Sequence, residues 1–302
     1  NVNDVGSVAI TGTATQGQTL TATVSDDDGA TGTITYQWKR GSTDIGTNSA
    51  TYVLVQADVG STITVNAQYT DDQDTEENVT ATTATVDNVN DVGSVAITGT
   101  ATQGQTLTAT VSDDDGATGT ITYQWKRGST DIGTNSATYV LVQADVGSTI
   151  TVNAQYTDDH GEVGEVEDVT SSETATVTNV NDVGSVAITG TATQGQTLTA
   201  TVSDDDGATG TITYQWKRGG VDISGANYAT YVLVQADVGS TITVNAQYTD
   251  DQSTAEDVTS EPTATVTNVN DAGSVAISGT ATQGETLTAT VSDDDGATGT
   301  IT

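Results

Sequence analysis

The tetrapeptide Asn-Val-Asn-Asp begins at Asn1 and returns at Asn88, Asn179 and Asn268, at spacings of 87, 91 and 89 residues. Such spacings belong to whole domains, since solenoid units run to roughly 20–50 residues. Residues 1–72 and 88–159 read identically, and the third copy departs mainly where Gly219-Gly220-Val221-Asp222 replaces Gly128-Ser129-Thr130-Asp131. The chain divides into repeats 1–87, 88–178 and 179–267 and a partial fourth, 268–302, limited to N-terminal strands. Thirty-five residues cannot close a core by themselves. The chain, which carries no Met, is therefore read as a window on a longer array, or its last fragment as pairing with another chain.

Within each repeat the apolar residues alternate. Leu20, Ala22 and Val24 share one face, as do Ile34, Tyr36 and Trp38, then Ile63, Val65, Ala67 and Tyr69, with Thr and Gln between them. A period of two is that of half-buried strands. Thr and Val enrichment, a single Pro, and Gly or Asp clusters about ten residues apart favour an all-β, antiparallel sandwich.

Charge restricts the partners. The chain carries 41 Asp and Glu against 6 Lys and Arg, a net charge of -35, which argues against nucleic acid and anionic membranes and in favour of cations. With 34% hydrophobic residues and no Phe, folding is expected to depend on counter-ions. There is no Cys to form a disulfide and no stretch long enough for membrane insertion, and no signal peptide is visible within these residues.

Tyr36-Gln37-Trp38-Lys39-Arg40, followed by Ala57-Asp58-Val59-Gly60, resembles the strand C tryptophan and the E to F corner of Ig-like domains. Gly17-Gln18-Thr19-Leu20-Thr21-Ala22, the Asp26-Asp27-Asp28-Gly29 turn and the Tyr69-Thr70-Asp71-Asp72 turn resemble the Ig-like, cadherin-like repeats of giant secreted bacterial adhesins. The chain departs from antibody-type domains in lacking a Cys pair, and Thr62 stands where a corner Tyr is expected. The resemblance implies tandem sandwiches in a linear rod, at the bacterial cell surface or secreted. The linker Asn88-Val89-Asn90-Asp91 is similar to the cadherin calcium linker. Asn90 and Asp91 match it, whereas Asn88 and Val92 stand where cadherins place Asp and Asn.

In an Ig-like sandwich the B to C and F to G loops lie where the chain comes in, and the E to F corner lies at the far end. At the first full junction this would gather Asp58 from below, Asn88, Asn90 and Asp91 from the linker, and Asp113, Asp114, Asp115, Asp158 and Asp159 from above. The corresponding oxygen ligands are Asn1, Asn3, Asp4, Asp26, Asp27, Asp28, Asp71 and Asp72 in the first repeat. They continue as Asp145, Asn179, Asn181, Asp182, Asp204, Asp205, Asp206, Asp237, Asp250 and Asp251, then Asn268, Asn270, Asp271, Asp293, Asp294 and Asp295. An all-oxygen set suits Ca2+, with its six to eight ligands, better than Mg2+, and zinc lacks its ligands here. Asp triplets alone are ordinary turns. Asp58, Asp145 and Asp237 equally suit a brace of the E to F turn.

Trp38, Trp125 and Trp216 share the parity of the core, not of a sugar-stacking platform. The Lys39-Arg40 pair is the only positive charge of its repeat and could grip a neighbouring chain. His160 sits among Glu162, Glu165 and Glu167 with no nucleophile beside it. No catalytic constellation stands out. The expected role is a calcium-rigidified extender of a bacterial adhesin or matrix protein, whose partners are calcium ions and neighbouring repeats. The alternative is a filament, sheath or surface layer of identical chains. A spacer or carbohydrate-binding accessory of a secreted enzyme is a third reading.

Overall fold

The computed structural model describes residues 2–160 and 166–297. It divides into two units, 1–178 and 179–302. Within the first unit the chain lays down β1 (Ser7–Thr11), β2 (Thr19–Ser25), β3 (Thr35–Arg40), β4 (Thr43–Ile45), β5 (Thr51–Val53), β6 (Thr62–Thr70) and β7 (Glu76–Thr85). The strands form two antiparallel sheets, one ordered β1-β2-β5 and the other β4-β3-β6-β7. The helical content among the described residues is single 3-10 turns at Gln56–Asp58, Gln143–Asp145 and Gln235–Asp237. This is the expected all-β tandem sandwich.

The alternation places the core. In β6, Ile63, Val65, Ala67 and Tyr69 are buried while the intervening Thr64, Asn66 and Gln68 face outward. Leu20 and Ala22 from the facing sheet meet them around Trp38. Trp38 is wholly buried, stacks on Tyr52 at a centroid distance of 5.8 Å, and donates its Nε1 proton to Ser49 O at 2.9 Å. The indole is thus packed with its one polar atom satisfied, with no disulfide beside it.

The same pattern returns further along the first unit, with Leu107, Trp125, Leu141, Ile150 and Val152 at the centre of a second core. The second unit holds a third core around Leu198, Trp216, Leu233, Ile242 and Val244. It also holds a hairpin of Ser274–Ser278 with Thr288–Ser292. On this hairpin Val275 and Ile277 are exposed, because among the described residues no second sheet faces the two strands.

Each sandwich has two chemically distinct ends. At the far end, the Gln16-Gly17 turn and the Gly60 turn are stitched to the departing chain by Gln16 N to Asp87 O and Gly60 N to Val86 O. At the near end, the incoming linker, the β2–β3 loop and the β6–β7 hairpin come together, and these segments carry the acids.

Candidate metal centre

The near end is organised by its turns. Asp26 Oδ1 accepts the amide of Asp28 at 2.8 Å, which folds the Asp-Asp-Asp-Gly loop back on itself. Gly29 follows at φ +90, and a side chain there would run into Asp72. Asp72 Oδ1 takes the amide and hydroxyl of Thr31, tying the hairpin to the loop. The linker docks on this platform through Asp4 N to Asp28 Oδ2 at 2.8 Å and Asn3 Nδ2 to Glu77 Oε1 at 2.9 Å.

A phenol stands at the centre. Tyr69 donates to Asp26 Oδ2 at 2.7 Å. Its pKa is pushed well up by burial, then by the hydrogen bond to Asp26 and the charges of Asp26, Glu77 and Asp71. Tyr156 among Asp113, Glu167 and Asp158, and Tyr248 among Asp204, Glu256 and Asp250, are raised by the same causes in the same order. One tyrosine therefore senses three carboxylates in each complete repeat.

The carboxylate cluster is tightest around Tyr248, where one oxygen from each of Asp204, Asp250 and Glu256 lies within 4.8 Å of the others. Asp250 and Glu256 are buried. Asp250 Oδ1 accepts the amides of Gln252 and Thr254, but Asp250 Oδ2 is buried with no hydrogen-bond partner. Asp71 repeats this arrangement, with Oδ1 bound to the amides of Gln73 and Thr75 and Oδ2 buried and unpartnered. Like charges at this separation repel by about 3 kcal/mol per pair at an effective dielectric constant of about 20. Asp250 Oδ2, buried beside two other carboxylates with no proton to accept, is the oxygen here that could take a hard cation.

The donors divide into those the fold gathers and those it employs elsewhere. Asp26, Asp71, Asp113, Asp158, Asp204 and Asp250 surround the tyrosines. Asp28, Asp115, Asp206 and Asp295 receive the linker amides of Asp4, Asp91, Asp182 and Asp271 at 2.6–2.8 Å. Asp27, Asp114, Asp205 and Asp294, the middle members of the triplets, are exposed. Asp72, Asp159 and Asp251 hold Thr31, Thr118 and Thr209. Asn3, Asn90 and Asn181 donate to Glu77, Glu167 and Glu256. The side-chain oxygens of Asn88 and Asn179 are buried without a partner. Asn268 is exposed, Asn270 donates to Asp271 O, and Asp293 Oδ1 accepts the Asp295 amide. Asn1 lies outside the described residues, as do Glu162 and Glu165.

Asp58 is a brace. Its Oδ1 receives Arg40 at 3.0 Å, and its Oδ2 receives the Tyr52 hydroxyl at 2.8 Å and Val55 N at 3.0 Å, all with the carboxylate wholly buried. Asp145 with Arg127 and Tyr139, and Asp237 with Arg218 and Tyr231, do the same. Both oxygens being engaged, these aspartates hold the strand-to-turn corner. In the first unit glutamines take their place at the joint: Gln16 Nε2 reaches Asp91 Oδ2 and Gln56 Nε2 reaches Asp115 Oδ1, each at 2.7 Å. Gln16 Oε1 also accepts Val89 N at 3.1 Å, so one amide clasps the linker twice. In the second unit Gln194 makes the same two bonds, to Asp271 and Val269.

The glutamines, the central tyrosines and Glu77, Glu167 and Glu256 are site residues that the sequence reading passed over. A signal existed for the glutamates: each stands two residues before a core valine and pairs directly across the hairpin from its tyrosine. The remaining candidates settle quietly. Lys39 pairs with Asp44 on its own sheet, and His160 Nδ1 lies 2.7 Å from Asp115 O.

No known protein family and no curated protein matches the chain in sequence. Among solved structures it is similar to a Ca2+-stabilised adhesin of an Antarctic bacterium that binds ice, at 17% identity, 92% of this chain, 77% of that one and a TM-score of 0.26. It is similar to a tetra-tandem repeat from the extending region of a large adhesion protein, at 15% identity, 96% and 87% coverage and a TM-score of 0.29. It is also similar to the mouse nectin-like molecule 4 ectodomain, with three Ig domains, at 14% identity, 80% and 91% coverage and a TM-score of 0.30.

Proposed function

We propose that the chain is a non-catalytic, extracellular array of structural repeats whose near ends bind Ca2+, and that it serves as an extender of a bacterial surface adhesin. The observation that carries the metal is the buried, unpartnered Oδ2 of Asp250 beside Asp204 and Glu256, within 4.8 Å of one another. A divalent cation relieves the mutual repulsion of three carboxylates and supplies the contact that Asp250 lacks. Asp204, Asp250 and Glu256 would hold it, as would Asp26, Asp71 and Glu77, and Asp113, Asp158 and Glu167.

The linker gives the ion its mechanical meaning. Asp91 N and Asn90 Nδ2 bind the same loops that present the carboxylates, so an ion fixing those loops also fixes the linker. Binding by the folded state alone adds about 2.7 kcal/mol at a hundred times the dissociation constant. A chain of small cores with net charge -35 is thereby loose in metal-poor surroundings and firm where calcium is plentiful. Its length is set by repeat number, which suits a spacer.

The tyrosines provide the test. Terbium at the carboxylate clusters, within reach of Tyr69, Tyr156 and Tyr248, gives emission on tyrosine excitation. Calcium displaces the terbium and equal magnesium does not. Chelation lowers the melting temperature and broadens the distance distribution in small-angle scattering. No sensitised emission, with melting unmoved by chelation, overturns the metal. Sensitised emission with unchanged scattering keeps the metal and overturns the extender.

A further inference from the structure

We propose that the outer face of the three-stranded sheet is a docking surface for the same face of a second copy of this chain. In a molecule carrying 41 acidic residues, every outward-facing position of β1, β2 and β5 is Ser, Thr, Ala or Val. Thr11, Thr21 and Thr51 form a row across the three strands, and Ala9 stands opposite Thr23 in the next. The three strands recur unchanged in sequence and pairing at Ser94–Thr98, Thr106–Ser112 and Thr138–Val140, and at Ser185–Thr189, Thr197–Ser203 and Thr230–Val232. The opposite sheet differs, since its outer side carries the Lys39–Asp44 pair and its equivalents.

Charge selects the occupant. Two copies that meet through any surface bearing carboxylates repel each other, and with so few cations there is nothing to offset it. The lysines and arginines are engaged within their own repeats, with Asp44 and Asp58 in the first. The neutral sheet face is the approach that sets no like charges against each other at its centre. In the third repeat an acid stands at its margin: Glu261 lines a shallow groove with Pro262 beside Ala187, at the edge strand. A neutral centre with a charged rim is the layout of a protein interface.

Area says how the contact works. Five residues of strand span about 17 Å and three strands about 14 Å, so one face covers roughly 240 Å². A stable complex needs about 800 Å² per partner. One repeat is too small for a stable pair, so each face makes a weak contact, and each contact made raises the effective concentration for the next along the chain. Identical faces meeting each other form a self-complementary contact. The argument does not rest on calcium.

Sedimentation velocity of the full chain over rising concentration, in calcium and in chelator, reads the association. The wild-type mass rises with concentration. Thr23→Asp, Thr110→Asp and Thr201→Asp together stay monomeric at least about tenfold further, with an unchanged circular dichroism spectrum. The matching triple Lys variant is monomeric alone but associates when mixed with the triple Asp variant. A wild type monomeric to on the order of 1 mM in both buffers overturns the proposal, as does a triple Asp variant that associates like the wild type. Monomeric wild type retained on a neutral glucan column, with retention lost in the Asp variant, assigns the face to a carbohydrate and equally overturns it.

Discussion

Gly93 lies directly against the Tyr156 hydroxyl: a Cβ on the glycine would collide with the phenol oxygen and sit 2.5 Å from Asp113 Oδ2. The backbone there is unstrained, so it is the space that demands glycine. Gly93→Ala must push the phenol off Asp113, at about 1–3 kcal/mol. Only the second cluster is disturbed, so terbium emission falls by roughly a third while the cores around Trp38 and Trp216 keep their melting behaviour.

Asp237 and Asp250 are both buried, yet their replacements are expected to answer calcium differently. Asp237→Ala leaves Arg218 and Tyr231 without their shared acceptor and costs about 3–5 kcal/mol, with or without the ion. Asp250→Asn removes one charge from the cluster. In chelator it melts near the wild type or above it, and in calcium the third repeat alone loses most of its gain. Parallel melts in the two buffers separate the roles.

Alkali is expected to unfold the repeats through their phenols. Tyr52 and Tyr139 are pushed up to about 12 by burial, then by hydrogen bonds to Asp58 and Asp145. Tyr69, Tyr156 and Tyr248 lie higher. A folded pKa above the unfolded value of 10.0 contributes stability that is complete below pH 10 and is lost as the pH rises through the folded value. Tyrosinate absorbance of these residues should therefore appear together with loss of the β-sheet signal, above pH 11. Ionisation of these five phenols near pH 10 in the folded state would contradict their buried placement.

Trp125→Ala removes the centre of one core, at about 3–5 kcal/mol. The repeat that contains it should melt in a separate, earlier step, while the core around Trp216 melts as before. Calorimetry resolves the two.

Gln16→Ala tests the clasp on the linker. Loss of the acceptor for Val89 N removes roughly 1 kcal/mol, which raises hydrogen exchange at that amide about fivefold. Exchange at Asp91 N, whose acceptor is Asp115, rises less.

The strands were legible because Ile63, Val65, Ala67 and Tyr69 alternate with polar residues, and the Asp-Gly turns because Asp26 and Gly29 have strong local preferences. Long-range placement was less legible. Glu167 stands further along the chain from its tyrosine than Glu77 and Glu256 do from theirs, so only the return register sets all three opposite their tyrosines. Tyr69 itself reads as core from its parity, and its hydroxyl reaches Asp26 only because the sheet ends there. Asp58 fits a ligand or a brace equally well until Arg40 and Tyr52 are seen to take both oxygens. The glutamines carry no charge, and nothing in their local sequence marks them as joint residues.

The first two copies are identical over 72 residues and part company only in the hairpin and final strand. That strand supplies one partner that the first copy lacks: Thr83 and Thr174 take Ile63 N and Ile150 N alike, but Ser171 Oγ also takes the buried amide of Val152. Ala81, which stands where the second copy has Ser171, offers no hydroxyl. A nascent chain with neighbouring twins risks borrowing a strand from the wrong copy. Between these first two copies the closing strand thus acts as an address label, since it is the stretch in which a borrowed strand differs from the proper one.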